Sequence, residues 1–110
     1  MRVPHAEKAV VPLRKVTGYM LSERHPVGRS KAAFFGGLGF HPSNASLLEK
    51  CLLTIVKEGE AVEIVESPHG TKYVVDGEID VPLGGRVAVR TVWIVEPNQP
   101  RPRFVTAYPR

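Results

Sequence analysis

Apolar side chains recur at helical spacing through the first half of the chain and at every second position from about residue 60 onward, which predicts helices first and strands afterwards. Val11-Pro12 opens the first helix, because proline suits a first helical turn. Leu13, Val16, Tyr19 and Met20 then carry its stripe to Leu21. Ser22 to Gly28 is a connector built around His25-Pro26. Arg29 to Leu38 is a second, short helix with Ala32, Phe35 and Leu38 on its apolar side and Phe34 alongside; Gly36, Gly37 and Gly39 end it early. Pro42-Ser43 opens the third helix, capped by Ser43 or Asn44. Its stripe is Leu47, Leu48, Cys51, Leu52 and Ile55, with Gly59 at the stop.

Beyond Gly59 the period becomes two. Ala61 to Val65 is a strand, Ser67 to Gly70 a turn, and Thr71 to Glu78 a second strand, with Gly84-Gly85 in the turn that follows. Arg86 to Glu96 is the longest strand and the richest in β-branched residues. Pro97 to Pro102 is a proline-rich loop, and Arg103 to Tyr108 is the last strand, stopped by Pro109. The expected class is α+β: two or three N-terminal helices followed by a four-stranded antiparallel meander sheet, with the helices packed on one face. At 110 residues the chain has the size of one domain, expected over 1–110 with its core in roughly 11–109.

Composition narrows the class of protein. Apolar residues make up 43% and charged residues 24%, ordinary globular usage that argues against general disorder. The single Cys51 has no partner for a disulfide or a zinc site, and no apolar run reaches the length of a membrane span. The N-terminal stretch MRVPHAEKAVVP lacks a signal peptide's apolar centre, so a cytoplasmic setting is expected. Net charge is +4 but unevenly spread: +5 over residues 1–48, −5 over 49–80 and +4 over 81–110. Such a chain either presents a basic face to phosphate-bearing partners or pairs its basic and acidic segments internally.

The most concentrated polar feature is His25-Pro26-Val27-Gly28-Arg29-Ser30-Lys31, which puts an imidazole, a guanidinium, a hydroxyl and an ammonium at a loop-to-helix junction. The free amides of a helix start add partial positive charge there, making a cradle for an oxyanion or phosphate; a P-loop is excluded by the glycine spacing. Alternation on the long strand puts Arg86, Ala88, Arg90, Val92 and Ile94 on one face and Val87, Val89, Thr91, Trp93 and Val95 on the other. Arg90 and Lys72 are expected to line the sheet face away from the helices. Thr106 and Tyr108 share a face of the last strand, together with Phe104. Whether Tyr108 lies beside Arg90 or beside Thr91 depends on register across the proline-rich loop, which the sequence leaves open. His5, His25, His41 and His69 lack metal-ligand spacing, so neither a metal nor another cofactor is expected. Cys51 and Trp93 read as packing residues, and Glu63 and Glu66 as solvated acids.

The runs HPVGRSKAAFFGGLGF, GTKYVVDGEI and VRTVWIVEPNQPRPRFVTAYP together resemble an uncharacterised bacterial domain family carrying HPxGRxKAxFF and RTVWIxE…VTAYP motifs, over Val11 to Pro109. The resemblance implies a gene context of toxin–antitoxin-like or toxin–immunity-like pairs. The order of helices and strands is also similar to the metal-independent ribonucleases of the barnase, EndoU, colicin and RelE group, although the paired histidines common there are missing. The enzyme expected on this basis cleaves RNA phosphodiesters. His25 acts as base or acid, Arg29, Lys31 and Arg90 meet the phosphorane charge, and Thr106 or Tyr108 orients the phosphate. Lys72, Arg86 and Arg103 extend the nucleic-acid contact. Two readings stand beside it: a non-catalytic module binding RNA or a small acidic protein of antitoxin or immunity type through the same basic groove, and a scaffold in which HPVGRSK merely anchors helices to the sheet.

Overall fold

The computed structural model describes residues 1–17 and 29–110, without the side chains of Leu13 and of residues 29–32. A helical turn over Leu13–Lys15 (α1) stands where the first helix was expected to begin, and Val16 after it is fully buried; residues 18–21 of that expected helix and the connector from Ser22 to Gly28, His25 included, lie outside the described residues. Arg29–Gly37 forms α2 and Ala45–Glu58 forms α3. Four strands follow: β1 (Ala61–Ser67), β2 (Gly70–Asp80), β3 (Arg86–Val95) and β4 (Arg103–Pro109). They pair antiparallel in the order β1-β2-β3-β4, the meander that the short connections predict.

Helix α3 packs on one face of this sheet. A Cβ added to Gly77 would stand 2.7 Å from Ile55 Cγ1, so Gly77 lets β2 lie directly under the helix. Leu48, Leu52 and Val56 are fully buried from the helix, and Val75, Val89, Trp93, Phe104 and Ala107 from the strands. Leu47 does not join them: it is 47% exposed, because the buried stripe runs Ala45, Leu48, Leu52, Ile55 and Val56, leaving Leu47 on the outer side of the helix. Cys51 is half-buried beside this stripe. Asn44 occupies the cap position of α3 but makes no capping bond with its side chain. Its Oδ1 instead accepts from the His41 amide at 2.8 Å and its Nδ2 donates to the Gly39 carbonyl at 2.9 Å, bracing the 3-10 turn Pro42–Asn44.

The core reaches into the first ten residues as well. Val3 and Ala6 are buried in the same apolar cluster as α3 and the sheet, and Val10 pairs with Arg103 as a parallel bridge on the free side of β4. Inside the core, Trp93 meets Phe104 edge to face at a centroid distance of 5.3 Å. The Trp93 indole N–H donates to Thr91 Oγ1 at 2.8 Å, and that hydroxyl donates to the Val75 carbonyl at 2.7 Å, so both buried polar side chains are satisfied.

Candidate functional site

With Tyr73, Val75, Gly77 and Ile79 turned toward α3, alternation puts Lys72, Val74, Asp76, Glu78 and Asp80 on the opposite face of β2. Three rows cross that face. Lys72, Ile94 and Arg103 form one, Val74, Val92 and Thr106 the next, and Asp76, Arg90 and Tyr108 the third. Tyr108 is therefore the direct cross-strand neighbour of Arg90, which decides the register that the sequence left open. The same register corrects Phe104. A bulge in β4 between the Val92–Thr106 and Trp93–Phe104 pairs adds a residue, and Phe104 turns into the core while Thr106 and Tyr108 stay on the outer face.

Arg90 is held as a fork. Its Nε donates to Asp76 Oδ1 at 2.7 Å and its Nη2 to Oδ2 at 2.9 Å, while Arg110 Nε adds an ion pair to Oδ2 at 3.2 Å. The hydrogen bond from Arg90 holds the Asp76 carboxyl below the usual carboxylate range; burial opposes this, and the charges of Arg90 and Arg110 reinforce it. In return the carboxylate keeps the guanidinium still more firmly protonated. The phenolic ring of Tyr108, about one-third exposed, borders this fork. One row away, Thr106 Oγ1 is buried and has no hydrogen-bond partner among the described residues, so it does not present its hydroxyl to a phosphate as the sequence suggested.

The remaining expected site residues are spread around this centre. Arg86 lies four residues along β3, roughly 13 Å away at ordinary strand rise, and pairs with Asp80 at 2.9 Å and with Glu78 at 3.8 Å. Arg103 pairs with Glu96 at 2.9 Å and lines a depression of about 310 Å³ with Val10, Gln99 and Arg101. Lys72 forms no ion pair among the described residues. Arg29 and Lys31 fall in the first turn of α2, with their side chains outside the description, and His25 precedes it outside the described residues. Arg86, Arg90 and Arg110 thus meet Glu78, Asp80 and Asp76 of the middle segment, so internal pairing accounts for part of the charge segregation along the chain, while Arg103 pairs within its own segment.

Asp76 is the site residue that reading the sequence missed. Its signal was present: an acid on the outer side of a strand that must pair antiparallel with the strand carrying Arg90. Elsewhere, burial and then the charge of Asp80 push the Cys51 thiol up, which suits a packing residue better than a nucleophile. Among the described residues no cluster of three His, Cys, Asp or Glu side chains is placed to hold a metal ion. No helix among them is long and apolar enough to cross a membrane.

A solved structure with this fold is the contact-dependent growth inhibition toxin–immunity protein complex from Klebsiella pneumoniae 342. One of its chains superposes with a TM-score of 0.73 at 18% identity, covering 96% of this chain and 96% of that one. At this identity the likeness is one of fold. No curated protein matches the sequence. The model of one family, however, matches residues 2–110, and the chain belongs to it: the domain of unknown function DUF6883.

Proposed function

We propose that this chain is the toxin member of a toxin–immunity pair and that it cleaves RNA phosphodiesters on the outer face of its sheet. The observation that carries this reading is the third row of that face: a guanidinium fixed by Asp76, with a phenol directly across the strand. A guanidinium has five N–H donors, and the fork to Asp76 uses two of them, leaving donors for phosphate oxygens. Transesterification needs in addition a group to take the 2′-hydroxyl proton and one to protonate the leaving oxygen. His25 and Tyr108 fill these roles, with Arg29 and Lys31 contributing charge at the start of α2. The fold shared with a chain of a toxin–immunity complex supports the pairing with an immunity-type protein.

A second reading has its own observation. Arg86, Arg90 and Arg103 are each already paired with an acid, which lowers the potential available to a polyanion and suits a module that binds a protein partner without cleaving anything. A gel assay of RNA integrity separates the two. Wild type should cleave, with and without chelator, and Arg90→Ala and His25→Ala should not. Intact RNA at every pH, with salt-sensitive binding retained, establishes the binding module instead.

A further inference from the structure

Strand β1 is an edge of the sheet, paired with β2 on one side only. Its seven residues are exposed apart from half-buried Ala61, and three are large aliphatics: Val62 at 56%, Ile64 at 44% and Val65 at 44% exposure. Edge strands are normally protected by shortness, a proline, a lysine or a covering segment. β1 carries neither proline nor lysine. Among the described residues its outward backbone is used once, where the Ala61 amide donates to the Met1 carbonyl at 2.7 Å. From Val62 to Ser67 the outward amides and carbonyls have no backbone partner among the described residues.

The charge around this edge selects what can add to it. Between Lys57 and Lys72 there is no lysine or arginine, while Glu58, Glu60, Glu63 and Glu66 fall in that stretch. Glu63 pairs in register with Val74 and Glu66 with Thr71, so carboxylates stand on both faces of the strand. A second copy of the chain would bring the same carboxylates against these, and like charges facing each other across a strand pair are unfavourable. A strand that carries lysine or arginine on both of its faces, among aliphatic side chains, meets the opposite conditions.

We propose that β1 is a docking strand for a partner protein whose own exposed edge carries basic residues on both faces, set among aliphatic ones. The partner's backbone completes the ladder, its aliphatic side chains cover Val62, Ile64 and Val65, and its cations meet Glu63 and Glu66, Glu60 being paired with the Met1 ammonium at 3.9 Å. This surface is two strands away from the β3–β4 row of Arg90 and Tyr108 and does not depend on RNA cleavage.

The test uses the full chain and a labelled seven-residue peptide of valine and isoleucine with two lysines three positions apart, so that the cations fall on opposite faces of the added strand as Glu63 and Glu66 do on β1. A glutamate counterpart and a lysine peptide of equal charge broken by prolines serve as controls. The lysine strand peptide should bind one to one with a Kd below about 1 mM, shifting the backbone amide resonances of residues 62–67. Ile64→Lys and Glu66→Lys should each weaken it by at least about tenfold with unchanged thermal melts, and Glu66→Lys alone decides if Ile64→Lys fails to fold. The proposal is overturned by equal binding of either control, by resonance shifts confined to β3 and β4, by no binding at about 1 mM, or by self-association of the protein through β1.

Discussion

Asp76 and Arg90 face each other across β2 and β3 and share two hydrogen bonds, Oδ1 to Nε at 2.7 Å and Oδ2 to Nη2 at 2.9 Å. The two partners differ in exposure: the Asp76 side chain is 8% exposed and that of Arg90 36%. The buried acid is thus the anchor and the guanidinium the presented group. A planar fork fixes direction as well as charge, which a lysine at either arginine position would not do.

Replacing that anchor should be felt in stability before anything else. Asp76→Asn removes the charge that two guanidinium groups share and should cost about 1–3 kcal/mol, with each 1 kcal/mol worth roughly 4–8 °C in melting temperature for a chain near this size. The pH dependence has a definite sign. Because the folded carboxyl is held below its ordinary range, chiefly by the Arg90 hydrogen bond, its contribution is complete above the unfolded value of about 4 and is lost as pH falls through the folded value. Thermal melts followed by circular dichroism from neutral to strongly acidic pH should show a steeper acid decline in wild type than in Asp76→Asn. Parallel curves would mean that the fork contributes no pH-linked stability.

The buried pair Thr91 and Trp93 gives a second prediction. Thr91→Val keeps the shape of the side chain but removes both the donor to the Val75 carbonyl and the acceptor for the indole N–H. With the site fully buried, the loss should be about 1–3 kcal/mol. Urea unfolding should show a lower midpoint with the slope unchanged, and Trp93 fluorescence should shift because its N–H has lost its partner. An unchanged midpoint would show that the indole finds another acceptor.

The parts of this fold that were legible in the sequence are those written in local pattern. The alternation of Arg86 to Glu96 separated the face of Arg90 from the face of Trp93 correctly, because side chains in a strand change sides at every residue whatever surrounds it. Phe104 was misplaced because a bulge breaks that rule, and nothing in Arg103-Phe104-Val105-Thr106 announces the extra residue. Leu47 was misplaced because its apolar neighbours widen the stripe of α3 in the sequence, while packing selects only part of it. The pairing of Asp76 with Arg90 needed register, which depends on contacts distant in the chain. The charge blocks suggested both a basic face and internal pairing; geometry places Arg86, Arg90 and Arg103 beside acids.

The β1–β2 hairpin turns on Gly70. Its φ is +133°, and a Cβ there would stand 2.9 Å from the Glu96 Cα and against the Val95 carbonyl oxygen. Gly70→Ala therefore combines a backbone conformation that side chains avoid with a clash against main chain that cannot swing aside. It should destabilise by more than about 1–3 kcal/mol and lower expression of folded protein. Gly84→Ala is the control, since its φ of +98° is also positive but no atom of the described residues lies within 4 Å of the added Cβ. Chemical denaturation of both variants should rank Gly70→Ala as the more damaging, and the reverse order would place the constraint in φ alone.

The outer-face row is testable as a reacting site with a short single-stranded RNA as substrate. Tyr108→Phe keeps the ring across from Arg90 and removes only the hydroxyl. If that hydroxyl moves a proton, kcat should fall by about 10²–10⁴ with KM nearly unchanged, since proton transfer is felt in the transition state. His25→Ala should behave in the same way. Arg90→Lys should differ: a single ammonium cannot hold the two-point fork to Asp76 while also spanning a phosphate, so KM should rise and kcat should fall together. Asp76→Asn should follow Arg90→Lys in direction, because it releases the same guanidinium. Chelator should leave all rates unaltered, as the chemistry assigned to His25, Arg90 and Tyr108 is acid–base and electrostatic. Steady-state kinetics on the four variants reads the pattern directly. A Tyr108→Phe variant with wild-type kcat removes the phenol from the chemistry, and an Arg90→Lys variant with wild-type KM removes the guanidinium from phosphate binding.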